Sequence, residues 1–206
     1  MQYEFTNNWF GNVGEKIWTQ LLPQITPEKM LEIGCFEGWA TTHLIEKSVW
    51  SDQCEIFCVD TWDGGLENKI RGVNMSKVEE RFEHNVALAQ KQRTDAPKVN
   101  KLKGLSHQLL PRLLADGHEN SFDFIYVDGS HQSPDVLVDA VLSFLLCKTG
   151  GVIGFDDYSW FDPSYEVKDI VNCPKLAIDS FINVYFRKID IIRTLNAQMY
   201  IRKISN

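Results

Sequence analysis

Acidic residues and one histidine follow the strand-like apolar runs FDFIYVD and GVIGFD. Asp128 ends the first run, Asp156 and Asp157 end the second, and His131 lies three residues after Asp128. The ends of successive parallel strands are commonly neighbours, so we expect these acids at one rim. Three anions this close repel each other, and a hard cation would relieve the repulsion. An all-oxygen ligand set with room for water suits Mg²⁺, with Mn²⁺ next. The alternative is that the Asp156-Asp157 pair caps a loop and Asp128 accepts backbone amides.

His131 is the candidate general base of this group. An imidazole, with an ordinary pKa near ~6.5, is available as a base at neutral pH without the strong desolvation that a lysine needs. A lone histidine is more often structural than catalytic, but this one follows a proposed metal ligand. The position therefore favours catalysis, with a structural histidine as the alternative.

A second group of residues has the types that bind a nucleoside. In the motif EIGCFEG, Gly34 and Gly38 lie four apart between the first strand and a helix, where glycine lets the backbone approach a ligand closely. The spacing is not GxGxxG, so a pyrophosphate cradle and a nicotinamide-dependent dehydrogenase are disfavoured. Asp60 ends the next strand, where two ribose hydroxyls could donate hydrogen bonds to it; the alternative is a solvated acid. Leu105 and Ser106 follow the third strand, where an adenine edge would lie.

These residues must be positioned by alternating strands and helices. The predicted strands are Lys29–Gly34, Glu55–Asp60, Lys98–Leu102, Phe122–Asp128, Gly151–Asp156, and a closing pair, Asp190–Leu195 and Gln198–Lys203, joined by a turn at Asn196-Ala197. The predicted helices are Trp9–Leu22, stopped by Pro23, then Thr41–Lys47, Leu109–Leu114, Asp135–Cys147 and Ile170–Phe186. Apolar strands separated by helices predict an α/β fold with a largely parallel sheet. Ligands of such sheets bind beyond the carboxyl ends of the strands.

Composition limits the class of protein. The 206 residues predict a single domain, 1–206, with residues 1–27 as an N-terminal helical cap. A net charge of −7 without a basic run argues against nucleic acid and an anionic membrane as partners. No apolar stretch approaches the ~20 residues of a membrane span, and the N-terminus lacks a secretory profile. The five cysteines show no CxxC pairing, so we expect them reduced and buried, in the cytoplasm.

Taken together, the chain resembles the class I S-adenosylmethionine-dependent methyltransferases. Within them it is most similar to the catechol O-methyltransferase type and the macrolide-sugar O-methyltransferase branch. The resemblance covers roughly Trp9 to the C-terminus and rests on LEIGCFEG, Asp60, KGLSHQLLP, FDFIYVDGSH and GGVIGFDDY, in that order. It implies a doubly wound, mostly parallel seven-stranded sheet of Rossmann-like type with helices on both faces. It also implies S-adenosylmethionine as the cofactor.

The resemblance assigns the cofactor residues. Gly34, Phe36 and Gly38 would flank the methionine part, Asp60 would hold the ribose, and Leu105 and Ser106 the adenine. The remaining cofactor-binding candidates are Glu32, Thr61 and Asp128. Relatives of the catechol type often have a serine where this chain has Ala40; Thr41 is the candidate to replace its contact to the methionine end.

The resemblance also implies a metal at Asp128, Asp156 and Asp157 that grips the hydroxyl oxygens of the acceptor. The catechol type has Asp-Asn at the last pair and lysine at the position of His131, so this chain is closer to the sugar branch. We therefore predict a divalent-metal-assisted O-methyltransferase that acts on a hydroxyl of a small sugar or polyol-like molecule, with His131 and Asp128 as its catalytic residues. The alternatives are a metal-independent methyltransferase and a non-catalytic S-adenosylmethionine-binding protein.

Two segments are candidates for choosing the acceptor. Trp62–Glu83 is long, polar and glycine-bearing, and Tyr158–Tyr165 is rich in aromatic residues. The aromatic residues of the second segment could stack on the acceptor. They could equally be buried between subunits of a homo-oligomer. Trp9 and Phe10 are candidates to close over the site, although core packing is the commoner fate of such residues.

Overall fold

The structure, a computed structural model, describes residues 2–47, 51, 53–161, 169–194 and 197–206. Seven strands form one sheet in the order β3-β2-β1-β4-β5-β7-β6. The strands are β1 Lys29–Ile33, β2 Glu55–Asp60, β3 Lys98–Lys103, β4 Phe122–Val127, β5 Cys147–Phe155, β6 Ile189–Ile192 and β7 Met199–Lys203. Only β7 runs against the others, since it pairs antiparallel with both β5 and β6. The chain switches direction across the sheet between β1 and β4, which is where ligands bind in such folds.

Helices cover both faces of this sheet. They are α1 Trp9–Asn12, α2 Gly14–Ile25, α3 Trp39–Lys47, α4 Leu66–Ile70, α5 Val78–Lys91, α6 Ser106–Leu113, α7 Ser133–Leu146 and α8 Pro174–Tyr185. Because side chains alternate along a strand, Met30 packs with α2, α3 and α5, whereas Leu31 packs with α6, α7 and α8. The predicted doubly wound, mostly parallel seven-stranded sheet is therefore confirmed.

Helix α5 is the main element that sequence reasoning missed. Its buried face contains Phe82, Val86 and Ala89, which lie at helical spacing. The segment Trp62–Glu83, described above as long, polar and glycine-bearing, contains α4 and the start of α5. Trp62 is itself only 2% exposed and packs against Phe82 with ring centroids 4.9 Å apart. Trp62, Val78 and Phe82 of this segment therefore belong to the core, while its other described residues are partly or fully exposed.

Several element boundaries also differ from prediction. Helix α2 continues through Pro23 to Ile25, so Pro23 does not stop it as predicted. The helix ends at Thr26, which takes a left-handed conformation and donates its amide hydrogen to the carbonyl oxygen of Leu22. Helix α8 begins at Pro174, the first-turn position that proline favours, after a short 3₁₀ turn. Leu195, the predicted last residue of the first closing strand, and Asn196, the first residue of the predicted turn, lie outside the described residues.

The five cysteines are all buried, as their composition led us to expect. Within the described ranges, no helix is both long enough and apolar enough to cross a bilayer.

Candidate functional site

The glycine loop after β1 lies directly against the end of β4. Gly34 has a φ of +88°, and a Cβ atom at this position would lie 2.0 Å from the carbonyl oxygen of Asp128. Only glycine permits both this conformation and this approach. The amide of Asp128 also donates to the carbonyl oxygen of Ile33 at 2.7 Å. The loop expected to hold the cofactor and the first acid of the expected metal site are therefore in contact.

Asp60 fixes the conformation of this loop. Its Oδ2 accepts the amide hydrogens of Cys35 at 2.7 Å and Phe36 at 2.8 Å, and its Oδ1 accepts that of Trp62 at 2.7 Å. Phe36 has a φ of +47°, in the left-handed region that costs a side-chain-bearing residue energy. The carboxylate that was expected to bind a ribose thus also holds the backbone at the sharpest part of the loop.

Glu32 and Thr41 lie beneath the loop rather than at an open ligand surface. Both are buried, and the Thr41 hydroxyl donates to Oε2 of Glu32 at 2.6 Å. Burial raises the pKa of Glu32 to about 8; the Thr41 hydrogen bond opposes this shift, and the charge of Asp60 adds to it. Thr41 therefore uses its hydroxyl inside the protein, so its geometry does not favour the contact with the methionine end that we expected.

The pKa of Glu32 predicts a loss of stability as pH rises from about 4.5 to about 8. The folded chain keeps this proton until about pH 8, whereas the unfolded chain releases it near the ordinary value of 4.5. The free energy of unfolding should therefore fall as pH rises between these values. In Glu32→Gln this fall should be smaller by about 2–4 kcal/mol between pH 5 and pH 8, measured by urea unfolding. The exposed Glu28→Gln serves as the control; equal slopes for wild type and Glu32→Gln would contradict the assignment.

The remaining cofactor candidates lie at the ends of β2 and β3. The Thr61 hydroxyl accepts the amide hydrogen of Asp63 at 3.2 Å. Leu105 is 47% exposed, and Ser106 opens α6. Burial raises the pKa of Asp139, a buried residue of α7, to about 7, and the Ser106 hydroxyl opposes this shift. The structure thus keeps these residues along the strand ends where a nucleoside was expected.

Two of the predicted metal ligands meet the candidate base at one point. Ligand atoms of Asp128, His131 and Asp157 lie within 4.8 Å of one another. Nε2 of His131 is 2.8 Å from Oδ2 of Asp157, and both side chains are partly exposed. An acid, a second acid and an imidazole therefore converge beside the glycine loop.

Asp156 is not one of the three residues whose ligand atoms lie within 4.8 Å of one another. Its Oδ2 accepts the Tyr126 hydroxyl at 2.7 Å, while its Oδ1 accepts the Gln198 side chain and the Asp157 amide, each at 2.8 Å. Asp157, the second residue after β5, has a φ of +53°, and it is the member of this pair whose carboxylate lies 2.8 Å from His131. The geometry differs here from the predicted set of three carboxylates.

The carboxyl groups nevertheless influence one another. Burial raises the pKa of Asp128 well above its usual range, and the charges of Asp156 and Asp157 raise it further. Burial, followed by the charge of Asp157, raises the pKa of Asp156 to about 6. A divalent cation would compensate this excess of negative charge. The available oxygen and imidazole ligands fit magnesium or manganese in their chemistry.

Two aromatic side chains, Trp160 and Trp9, lie beside the candidate site. The sequence indicated Trp160 only as part of the aromatic segment Tyr158–Tyr165. The Trp160 ring packs on His131 with centroids 4.2 Å apart, and the Arg71 guanidinium carbon is 5.5 Å from the centroid of Trp160. Tyr158 instead donates to Asp179 of α8, and residues 162–165 lie outside the described ranges. Trp9 is 53% exposed and packs on Phe36 at 5.2 Å, whereas its neighbour Phe10 enters the core.

Residues 31–158 match a family profile described as a methyltransferase domain. No curated protein matches the chain by sequence.

Among solved structures, the fold is similar to that of a Bacillus cereus O-methyltransferase in complex with S-adenosylhomocysteine, with a TM-score of 0.64 and 17% identity over 98% of this chain and 84% of that one. TomG, an O-methyltransferase of tomaymycin synthesis from Streptomyces achromogenes in complex with S-adenosylmethionine, has a TM-score of 0.64 and 17% identity over 93% and 80% of the two chains. CalS11, a TDP-rhamnose 3'-O-methyltransferase of calicheamicin biosynthesis, has a TM-score of 0.64 and 13% identity over 92% and 78%.

Proposed function

Because the chain belongs to the family of methyltransferase domains, we propose that it methylates a hydroxyl oxygen of a small molecule with the help of a divalent cation. Membership of this family confirms the prediction of an S-adenosylmethionine-dependent methyltransferase. The observation that carries this proposal is the contact between Gly34 and the backbone of Asp128. It places the proposed methyl-donor loop beside the acids that would bind the acceptor. A short distance between donor and acceptor is the main requirement of such a transfer.

We assign the donor to the loop after β1 and to the neighbouring strand ends. Gly34, Phe36 and Gly38 flank its methionine part, and Asp60 holds its ribose in this proposal. The residues proposed beside the nucleoside are Thr61, Leu105 and Ser106. Glu32 and Thr41 support the loop from below, since both are buried and bonded to each other.

Asp128 and Asp157 are the proposed main metal ligands, and Asp156 adds negative charge next to them. When bound, S-adenosylmethionine supplies an electrophilic methyl group, and a divalent cation lowers the pKa of a coordinated hydroxyl. His131 accepts the hydroxyl proton at its imidazole nitrogen. A cation bound at Asp157 would compete with His131 for the carboxylate oxygen that lies 2.8 Å from Nε2 of the imidazole. Trp160 holds the ring of His131 by packing on it and shields it from water.

A sugar or another polyhydroxylated molecule is the proposed acceptor. The combination of His131 with the Asp156-Asp157 pair supports this class by its similarity to the sugar branch, and one structural neighbour is named as a sugar O-methyltransferase. Partly exposed aromatic rings, Trp160 and Trp9, lie beside the site and provide faces of the kind on which sugar rings stack.

Metal-independent methylation is the second candidate. The close pair of His131 and Asp157 favours it, because the imidazole can compensate this carboxylate without a cation. Positioning of donor and acceptor would then supply the acceleration.

Ligand binding and metal removal test both candidates. S-adenosylhomocysteine at a hundred times its Kd should add about 2.7 kcal/mol to the free energy of unfolding and raise Tm by roughly 5–10 °C, whereas NAD should not. Methyl transfer from S-adenosylmethionine to a panel of sugar and polyol acceptors should stop after EDTA treatment and return with Mg²⁺ or Mn²⁺. Full activity of the EDTA-treated protein would contradict the metal-assisted reaction and support the second candidate.

A further inference from the structure

A charged residue with no assigned role lies inside the glycine loop. Glu37 stands between Phe36 and Gly38, yet it is only 2% exposed. We propose that Glu37 is a positioning residue for the cofactor: its buried carboxylate ties the N-terminal segment Glu4–Thr6 to the glycine loop and so holds the loop in the shape that receives the donor. The proposal rests on the proposed function, because it assumes that this loop binds S-adenosylmethionine.

The carboxylate of Glu37 is bonded at both oxygens. Its Oε2 accepts the backbone amide hydrogen of Thr6 at 2.6 Å. Its Oε1 accepts the Thr6 hydroxyl at 2.8 Å and a guanidinium N–H of Arg81 at 2.9 Å. A buried carboxylate is tolerated only with such compensation. These contacts join three separate parts of the chain, namely the N-terminal segment, the glycine loop and α5.

Asn85 of α5 repeats the same connection through its side-chain amide. Its nitrogen donates to the carbonyl oxygens of Glu37 at 2.9 Å and Glu4 at 3.2 Å, and its oxygen accepts the amide hydrogen of Glu4 at 2.7 Å. Asn85 is fully buried. The N-terminal segment is therefore fastened to the loop and to α5 by hydrogen bonds at both Glu4 and Thr6.

The loop needs this support because its conformation is strained. Phe36, next to Glu37, is held in the left-handed region, which persists only where surrounding contacts determine it. The indole of Trp62 donates to the carbonyl oxygen of Phe36 at 3.0 Å, and Trp9 packs on its ring. Phe36 is a proposed neighbour of the methionine part of the donor. The position of Phe36 thus depends on contacts of the loop with the N-terminal segment and with α5. Glu37 supplies the hydrogen bonds to Thr6 and the ionic contact to Arg81.

The variant Glu37→Gln tests this role, since it keeps the shape of the side chain and removes its charge. We expect the Kd for S-adenosylhomocysteine, measured by calorimetry, to rise on the order of tenfold, as lost charge-assisted hydrogen bonds allow. The KM for S-adenosylmethionine should rise in parallel, while kcat at saturating donor changes by less than about twofold. The matched control is Glu119→Gln, an exposed glutamate outside these contacts; its constants should equal those of wild type.

A second variant, Thr6→Val, removes one donor to Glu37 and leaves the backbone amide in place. Its Kd should rise by about threefold, and the double variant should bind no more weakly than Glu37→Gln alone, because both changes affect one interaction. If the folded Glu37→Gln protein binds S-adenosylhomocysteine as wild type does, the proposal is overturned. If that variant does not fold, an unchanged Kd in Thr6→Val overturns it instead. A wild-type protein that binds no S-adenosylhomocysteine would refute the proposed function itself, which is a separate result.

Discussion

Replacing Asp128 by Asn is expected to stabilise the protein while reducing methyl transfer by about 10³-fold, the size of a lost metal-ligand contribution of several kcal/mol. Both effects have one physical source. Burial and two neighbouring acids already raise the pKa of this carboxyl well above its usual range. An uncharged amide of nearly the same shape removes that repulsion from the folded state, but it also removes the charge that would attract a cation.

The measurements for Asp128→Asn are thermal unfolding near pH 7, titration with Mg²⁺ by calorimetry, and turnover. Asp190→Asn, an exposed aspartate on β6, is the matched control and should change none of them. The alternative role, in which Asp128 only accepts backbone amides, predicts that stability falls together with turnover. A destabilised variant that still binds Mg²⁺ would therefore count against Asp128 as a ligand.

The variant His131→Ala is expected to lose about 10²- to 10⁴-fold in turnover, the range of a general base, with an unchanged Kd for S-adenosylhomocysteine. The reason is the place of the ring, which contacts Asp157 on one side and Trp160 on the other, whereas the proposed donor residues lie in the glycine loop. Removing the imidazole should thus affect proton transfer and leave donor binding intact.

Because His131→Ala also removes packing against Trp160, the variant His131→Gln provides a second comparison that keeps more of the side-chain volume. Both should be equally inactive if the proton acceptor matters, and His131→Gln should be the more active if packing matters. His107→Ala, at an exposed histidine of α6, is the control. Turnover of His131→Ala at the wild-type rate would exclude His131 as the base.

Much of the fold could be predicted because its signals are local. Apolar runs of strand length, such as EIFCVD ending in Asp60, and acids or glycines placed just after them indicated parallel strands with a ligand site at their carboxyl ends. Helix α5 was missed although its buried residues Val78, Phe82, Val86 and Ala89 repeat at helical spacing, because Trp62–Glu83 was treated as one polar segment that ends inside this helix. Phe82 and Val86 belong to the core cluster that also contains residues of β1 and β2.

The sequence predicted which residues belong to the candidate site, but not which of them are in contact with one another. The sequence indicated Asp128, His131 and the Asp156-Asp157 pair, yet it did not indicate that Asp156 turns toward Tyr126 while its neighbour meets the histidine. Because both acids lie beyond the end of β5 and Asp157 takes a left-handed conformation, the alternation of side chains along a strand does not predict this difference. The position of Glu37 between Gly34 and Gly38 was a signal visible in the sequence, but its partners Thr6 and Arg81 could not be identified there.

The succession of strands along the chain and the set of acids available for chemistry followed from the sequence, because they depend on local patterns. The class of cofactor followed from the resemblance of its motifs to a known family. The tertiary structure alone decided which atoms converge. The contacts of Asp128 with Gly34 and of Glu37 with Thr6 and Arg81 join residues far apart in sequence. Such pairings depend on side-chain direction and on close packing between elements, and neither can be inferred from the residues that are adjacent in the sequence.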